Sequence, residues 1–485
     1  MIAKKGFKSL KTALLWVGLV FLSGIIACAP RAGRFGFPQH EYEYTVPEKI
    51  DDGWEISSLS EEGVDPENIN VLIREILNKN IKDIYSVLLV KNGKLILEEY
   101  FYGYNRDTKH IMYSASKSVT SILVGIAVDQ NLIPDVDQKV YEYFPEYKDT
   151  KWVNQKYDIR LKHLLTMSAG IDWVDWKYPH HDSRNSTGAM VRSGDWIKFV
   201  LDRDMIERPG NRFNYSDGLT MLLGGIIKKS TGMYADEFAE KHLFTPLGIS
   251  EYSWRKSPGG SVITAWGLSL KPRDMAKIGY LFLKNGKWND RQIISQKWVS
   301  ESTKAQITEV TVGYGYAYQW WYGEKDIYDQ FIKVYYAAGM GGQLIFVSPS
   351  QNLVAVITSS AFSNVFKELR PQVIMTDYIL PAMLPPVTPP KNIQIAPEIL
   401  ERYAGKYNLV GQFDAKLTID RKSNKLLCKM FGENVEMFPV KENQFNGTLE
   451  GFGNLKANFF KDEKGKINHL IMEIGFSRLR FDKIK

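Results

Sequence analysis

The sequence predicts an α/β (α+β) fold: an antiparallel sheet flanked by helices with a helical insertion, plus a C-terminal antiparallel β-rich module. Three observations carry this reading. Strand-like segments stand at both ends of residues 51–383, with helical stretches between them. Five prolines at 381, 385, 386, 389 and 390 then interrupt the pattern. Short alternating runs divided by turn residues fill 400–485. Strands at both ends of a helical text suit one sheet completed by terminal segments.

At 485 residues the chain has room for about three units of ~150 residues each. Hydrophobic residues make up 44% and charged residues 24%, the ordinary globular range. A disordered chain, a collagen-like fibre and a polytopic membrane protein are thereby excluded. The net charge is +7, and Lys4, Lys5, Lys8 and Lys11 in the acid-free first 27 residues supply four of it. So weak an imbalance gives no reason to expect nucleic acid as a partner. Two cysteines, Cys28 and Cys428, cannot make a disulfide framework or a four-ligand zinc site.

Residues 1–12 are basic, and Ala13 to Ala27 is an almost unbroken apolar run. These are the n-region and h-region of a secretory signal, too short to span a bilayer comfortably. The run ends in Ile25-Ile26-Ala27-Cys28, which resembles the lipobox of bacterial lipoproteins. That resemblance implies a signal peptide over 1–27, lipidation of Cys28, a tether over 28–50 and a lipid-anchored, extracytoplasmic protein. An ordinary cleaved signal and an uncleaved anchor are the alternatives.

Within 51–383, Asp65-Pro66 opens a helix whose apolar face is Ile69, Leu72, Ile73, Ile76 and Leu77. Two strands flank Asn92-Gly93, a strong hairpin signal. Strands at 343–347 and 353–359 follow the helical stretches of 116–250, and a helix over about 364–379, kinked at Pro371, closes the unit. Residues 384–399 read as a stiff linker. Turn clusters at 8–12-residue spacing beyond it argue for a small antiparallel sheet or barrel.

The chemistry concentrates in Tyr113-Ser114-Ala-Ser-Lys117. Val119, Ile122, Leu123, Ile126 and Ala127 recur on one helical face. Ser114 stands at the start of that helix and Lys117 one turn on, on the same side. A serine hydroxyl needs a nearby base to become a nucleophile, and a lysine can be that base if its site lowers its pKa from ~10.4. Free N–H groups at the helix start can stabilise an oxyanion. S-x-x-K alone is weak. A second copy, Ser253-Trp-Arg-Lys256, lacks an amphipathic continuation and reads as loop.

Context makes the first copy specific. The Ser114 stretch resembles the active-site helix of the penicillin-recognising serine hydrolases: class C β-lactamases, D-alanyl-D-alanine carboxypeptidases and family VIII carboxylesterases. Ile159-Arg-Leu-Lys-His-Leu-Leu-Thr-Met-Ser-Ala-Gly-Ile171 looks like that family's Ile-Arg-His-Leu-Leu-Thr-His-Thr-Ser-Gly-Leu segment. Phe213-Asn-Tyr215-Ser-Asp217-Gly looks like its Y-x-N motif, and Phe244-Thr-Pro-Leu-Gly-Ile249 like its Pro-Leu-Gly turn. The resemblance covers roughly 53–383, and the β-rich tail resembles the module often appended to such enzymes. It implies a serine β-lactamase-like fold, a nucleophile at Ser114, a base at Lys117, and a proton relay at Tyr215 that also activates the deacylating water. Because two such groups titrate as a pair, calling one of them the base is a simplification. The resemblance implies no cofactor and no metal.

This sequence departs from the family in two places. Asp217 replaces the Asn of Y-x-N, and a carboxylate near Lys117 favours its protonated form. Either Asp217 turns away, or the Tyr215–Lys117 pair shares its proton differently. The family's K-T-G or H-x-G motif aligns with Ala337-Ala338-Gly339, so its Lys or His and its Thr are missing. Gly339 keeps the backbone free to approach substrate, or simply forms a tight turn. The N–H of Met340 would join that of Ser114 as the oxyanion hole.

His180-His181-Asp182 reads as a polar loop rather than a metal site, and Cys428 as a buried strand residue. Trp320-Trp321 reads equally well as core or cleft lining. The expected partners are a small ester, amide or peptide substrate and a membrane reached through the lipid anchor. The expected activity is hydrolysis of esters or amides through an acyl-enzyme. The alternatives are a β-lactamase or D-alanyl-D-alanine carboxypeptidase and, from another class, a catalytically silent binding or sensor lipoprotein.

Overall fold

A computed structural model describes residues 41–308, 310, 315–327, 330–362, 369–385, 391–410, 416–430, 433–449 and 453–484. The expected signal peptide, Cys28, the first part of the tether and positions 386–390 of the linker lie outside the described residues. Among the described residues, no helix is long and apolar enough to cross a membrane.

Eight strands form the central sheet: β1 (Glu55–Ile56), β2 (Ile84–Lys91), β3 (Lys94–Tyr100), β4 (Gly315–Tyr316), β5 (Trp321–Ile327), β6 (Gln330–Gly339), β7 (Gln343–Ser348) and β8 (Leu353–Ser359), in the order β1-β3-β2-β8-β7-β6-β5-β4. The β2–β3 hairpin turns at Asn92 and Gly93, both at positive φ (52° and 88°), as a two-residue turn matching the strand twist requires. Val354 of β8 pairs with Val90 of β2, and Val356 with Leu88. Early and late segments of the chain thus meet in the middle of the sheet.

One pair departs from the antiparallel expectation, since β1 runs parallel to β3. A parallel pair needs a crossover, and helix α1 (Pro66–Leu77) lies in that connection. Asp65 caps α1 by accepting from the Glu67 N–H at 3.0 Å, with Pro66 at the first position.

Both faces of the sheet are buried. On β2, Leu88 and Val90 join the core shared with the helical region, while Val87 and Leu89 join the core under α1. That explains a strand reading as a continuous apolar run rather than an alternating one.

Helix α2 (Ser116–Asp129) follows the Ser114 turn. The sequence suggests a single apolar face, but every residue from Ser116 to Ala127 is buried. The reason is its position, which is central to the helical layer and covered on all sides. Its hydroxyls find partners within the protein: Ser118 Oγ donates to Gln319 O at 2.6 Å, and Thr120 Oγ1 to Thr264 O at 2.9 Å. Helix α4 (Asp217–Thr231) packs on α2 and also meets α3 (Ser186–Arg192), while α5 (Pro272–Leu283) lies on strands β2, β7 and β8 of the sheet.

Pro371 lies in the first turn of α6 (Arg370–Ile374), so it opens that helix rather than kinking it. The expected helix between 363 and 368 lies outside the described residues. Beyond the prolines, eight antiparallel strands between Gly405 and Lys483 close into a barrel, the last pairing with the first. Leu417, Ile419, Cys428, Met437, Phe445 and Phe481 fill it. The barrel packs against the sheet-and-helix domain. Phe476 is fully buried in the core under α1, 5.3 Å from the Phe346 ring, and Lys325 Nζ donates to Gly475 O at 2.8 Å.

Candidate active site

Ser114 sits in a 3₁₀ turn, Tyr113–Ala115, that leads directly into α2. Tyr113 has φ 45°, the left-handed region that costs a bulky residue on the order of 1–3 kcal/mol. Such strain persists only where surrounding packing imposes it. Here the edge of the Tyr113 ring meets Phe362 with centroids 5.6 Å apart. Strain of this kind is a signature of functional turns, and the sequence carries no sign of it.

Lys117 lies one helical turn on, its side chain 1% exposed. Its Nζ is 3.1 Å from Ser114 Oγ, 2.6 Å from Asp217 Oδ1 and 2.9 Å from Ala265 O. Three partners match the three donors of an ammonium. The same three positions equally suit a neutral amine that donates to Asp217 and Ala265 and accepts the Ser114 O–H. One arrangement therefore serves both protonation states.

Asp217 is the first residue of α4, whose N-cap is Ser216. It does not turn away, because its carboxylate is buried against Lys117. Tyr215, just before the cap, places its ring centroid 4.9 Å from Lys117 Nζ. Trp176 stacks on that ring at 4.6 Å and Trp321 at 6.0 Å.

A second carboxyl enters that sequence reasoning missed. Asp175 is buried beside this pair, where burial first, and then the Asp217 charge, push its carboxyl up to about 8. The Thr187 hydroxyl on α3 donates to Asp217 Oδ2 at 3.2 Å and also interacts with Asp175. Asp175 and Trp176 end the run Asp172-Trp-Val-Asp-Trp176, which follows the Ser-Ala-Gly segment. Alternating acid and tryptophan is the only signal it offers.

Gly339 ends β6, which packs beside the Ser114 turn. A Cβ at Gly339 would stand 2.0 Å from Met112 O. The glycine thus admits the backbone leading to Ser114, a different reason from the substrate approach expected. The tight-turn reading also holds: Gly341 and Gly342 take φ of 75° and 87°, and Gly342 N donates to Gly339 O at 3.0 Å. Met340 lies at this rim with its side chain exposed, as does Phe362. Ala337 is buried and Ala338 half-buried, and neither offers a charge.

Neither Arg212 nor Lys333 stands in for the missing lysine of the K-T-G motif. Arg212 Nε pairs with Glu207 Oε2 at 2.9 Å. Lys333 is opposite Glu324 on β6, roughly 20 Å up the strand from Gly339 at ~3.3 Å per residue.

The remaining candidates fall into place. Trp320 is core, while half-buried Trp321 stacks on Tyr215. Cys428 is a buried strand residue. His180 to Asp182 lie in a loop where Asp182 pairs with Arg184, and the described residues hold no cluster of metal-ligating side chains. Ser253 belongs to a two-residue strand rather than a loop, because Ser253–Trp254 pairs with Leu268–Ser269. Lys256 is drawn off to Asp236.

The chain is similar to several known proteins. The 6-aminohexanoate-dimer hydrolase of Paenarthrobacter ureafaciens is 26% identical over 248 residues, 48% of this chain and 63% of that protein. Protein flp of Staphylococcus aureus (strain MW2) is 24% identical over 214 residues, 42% of this chain and 41% of its own length. The matches thus span less than two thirds of either relative. Among solved structures, the octameric penicillin-binding protein homologue from Pyrococcus abyssi shares the fold, with TM-score 0.51 and 18% identity over 86% of this chain and 99% of that one. The family model described as Beta-lactamase matches residues 79–376. That span is more than half of the chain and contains Ser114, Lys117, Tyr215, Asp217, Gly339 and Met340, so the chain belongs to the Beta-lactamase family.

Proposed function

We propose that this chain is a serine hydrolase of neutral esters or amides that works through an acyl-enzyme on Ser114. The observation that carries the reading is the 3.1 Å contact between Lys117 Nζ and Ser114 Oγ at the buried start of α2. In the acylation step Ser114 Oγ bonds to the substrate's carbonyl carbon while its proton passes to the lone pair of neutral Lys117. The carbonyl electrons move onto oxygen, which the N–H groups of Ser114 and Met340 receive. As the tetrahedral species collapses, that proton reaches the leaving alcohol or amine through Tyr215. Water then attacks the acyl-enzyme by the reverse proton path.

The relative from Paenarthrobacter bears the name 6-aminohexanoate-dimer hydrolase, and an amide joining two amino acids is a substrate of this kind, which supports an amide or ester over a β-lactam here. The missing charge at Ala337 and Ala338 supports the same choice. The rival reading, a silent binding lipoprotein, draws on the Lys117–Asp217 pair, since a lysine kept charged cannot accept a proton. Labelling the folded protein with a fluorophosphonate separates the two. An adduct on Ser114 supports the hydrolase, and its absence supports the silent relative. The reading places the enzyme outside the cytoplasm on a lipid anchor at Cys28, supported by the apolar run that ends there.

A further inference from the structure

The Lys117–Asp217 pair has a feature that the acyl-enzyme chemistry does not itself require, a second carboxyl in the same buried space. Asp175 Oδ1 is buried and has no hydrogen-bond partner. The other interactions of this carboxyl are with the Thr187 hydroxyl and the backbone N–H of Asp217, at the start of α4. Thr187 in turn donates to Asp217 Oδ2, and Asp217 Oδ1 holds Lys117. Asp175, Thr187, Asp217, Lys117 and Ser114 therefore form one chain of contacts drawn from four separate segments.

Two carboxylates in one desolvated space repel each other, so the second tends to keep its proton. We infer that Asp175 is a positioning residue for the Lys117–Asp217 pair, its own charge governing when Lys117 can take the proton of Ser114. This rests on the acyl-enzyme reading above. With Asp175 neutral, Lys117 faces one negative charge. Once Asp175 ionises it faces two, and the pair gives up its proton less readily. The raised Asp175 carboxyl is consistent with the neutral form near neutral pH. The ionisable groups around the pair are Lys117 on α2, Asp217 on α4 and the phenols of Tyr215 and Tyr316, the last raised well above its ordinary value by burial. A purely structural Asp175, capping α4 through the Asp217 N–H, would contribute to folding but not to the pH dependence.

The test is the rate at which a fluorophosphonate labels Ser114 in the full chain from about pH 6 to about pH 10. Labelling should rise with pH as the pair loses its proton. In Asp175→Asn the rise should move about half a pH unit or more to lower pH, because a negative charge has gone. In Asp217→Asn it should move further, because Asp217 touches Lys117. Slower labelling at every pH, with the rise in place, would make Asp175 merely structural and overturn the inference, as would a rise displaced upward. Should Asp175→Asn not fold, Asp175→Ser removes the same charge and must shift the rise the same way. Failure of wild-type Ser114 to label at any pH would instead refute the acyl-enzyme reading.

Discussion

Lys117 Nζ lies 2.6 Å from Asp217 Oδ1, with both side chains buried at the junction of α2 and α4. The pair joins two helices through residues a hundred positions apart, and Lys117 also reaches Ser114 Oγ. A buried charge left without its partner is costly, so neither residue can be altered in isolation.

The first prediction concerns the three groups around that contact. Ser114→Ala and Lys117→Ala should each abolish turnover, and Tyr215→Phe should lower kcat by orders of magnitude. Because the groups act as a unit, the losses in double variants should not add. Steady-state hydrolysis of a short-chain p-nitrophenyl ester gives the measurement. Near-normal turnover by Ser114→Ala would refute the proposed mechanism.

Gly339 makes a sharper claim on geometry. Its Cβ position lies 2.0 Å from Met112 O, so Gly339→Ala must push β6 away from the turn that carries Ser114. A displacement near 1 Å costs on the order of 100-fold in rate, and this variant should lose about that much kcat/KM. Its thermal midpoint should fall as well, since the clash is with backbone rather than with a flexible side chain. Wild-type rates in Gly339→Ala would show that the oxyanion site lies elsewhere.

Stability should depend heavily on Arg273. Its buried guanidinium donates to Glu98 Oε1 at 2.8 Å, Asp52 Oδ2 at 3.0 Å and Glu48 O at 2.9 Å. It thereby fastens residues 48–52 and β3 to α5. Arg273→Met strands the buried Glu98 and should cost about 3–5 kcal/mol in urea unfolding, with Glu98→Gln added to it recovering much of the loss. A cost below about 1 kcal/mol would reduce the cluster to the value of a surface pair.

Cys28 bears on location alone. Cys28→Ala should release the protein from membranes into the soluble fraction while ester hydrolysis by the released protein is retained. Fractionation of expressing cells measures this, and stable membrane retention of the variant would point to an uncleaved apolar anchor.

What the sequence showed and what it hid differ in physical kind. The Asn92–Gly93 hairpin, the Asp65 cap and the Ser114–Lys117 spacing are local, each set by residues a few positions apart, and each was legible. The closed barrel could be read only as far as alternation and turns go, because closure depends on pairing Tyr407 with Lys483. Asp175 was invisible for a stronger reason. Its meaning arises only when the segments around 117, 175, 187 and 217 converge, and no spacing within one segment encodes that. Tyr113 shows the same limit for the backbone, since nothing in a tyrosine announces a left-handed φ imposed by its neighbours.

The last prediction concerns substrate class. In relatives that act on β-lactams or D-alanyl peptides, the third-motif cation and threonine help hold the substrate's carboxylate. Such a charge-assisted hydrogen bond contributes roughly 1.5–3 kcal/mol, about tenfold to a hundredfold in rate or affinity. Ala337 and Ala338 cannot supply it, Arg212 is paired with Glu207, and Lys333 is too far up β6. The rim instead presents the exposed side chains of Met340 and Phe362, 40% and 51% accessible, beside the Tyr215–Trp176–Trp321 stack. Such walls favour uncharged, apolar acyl groups. Neutral short-chain esters or amides should therefore exceed nitrocefin in kcat/KM by at least about tenfold. Ala337→Lys would put a cation in the first position of the motif, but Ala337 is 1% exposed, so a buried, unpaired ammonium should unfold the protein before it rescues β-lactam turnover. Half-buried Ala338→Lys is the better probe, and it should narrow the gap between nitrocefin and the ester. Wild-type nitrocefin turnover equal to the best ester would mean that a carboxylate site survives without those residues, and would reverse the ranking.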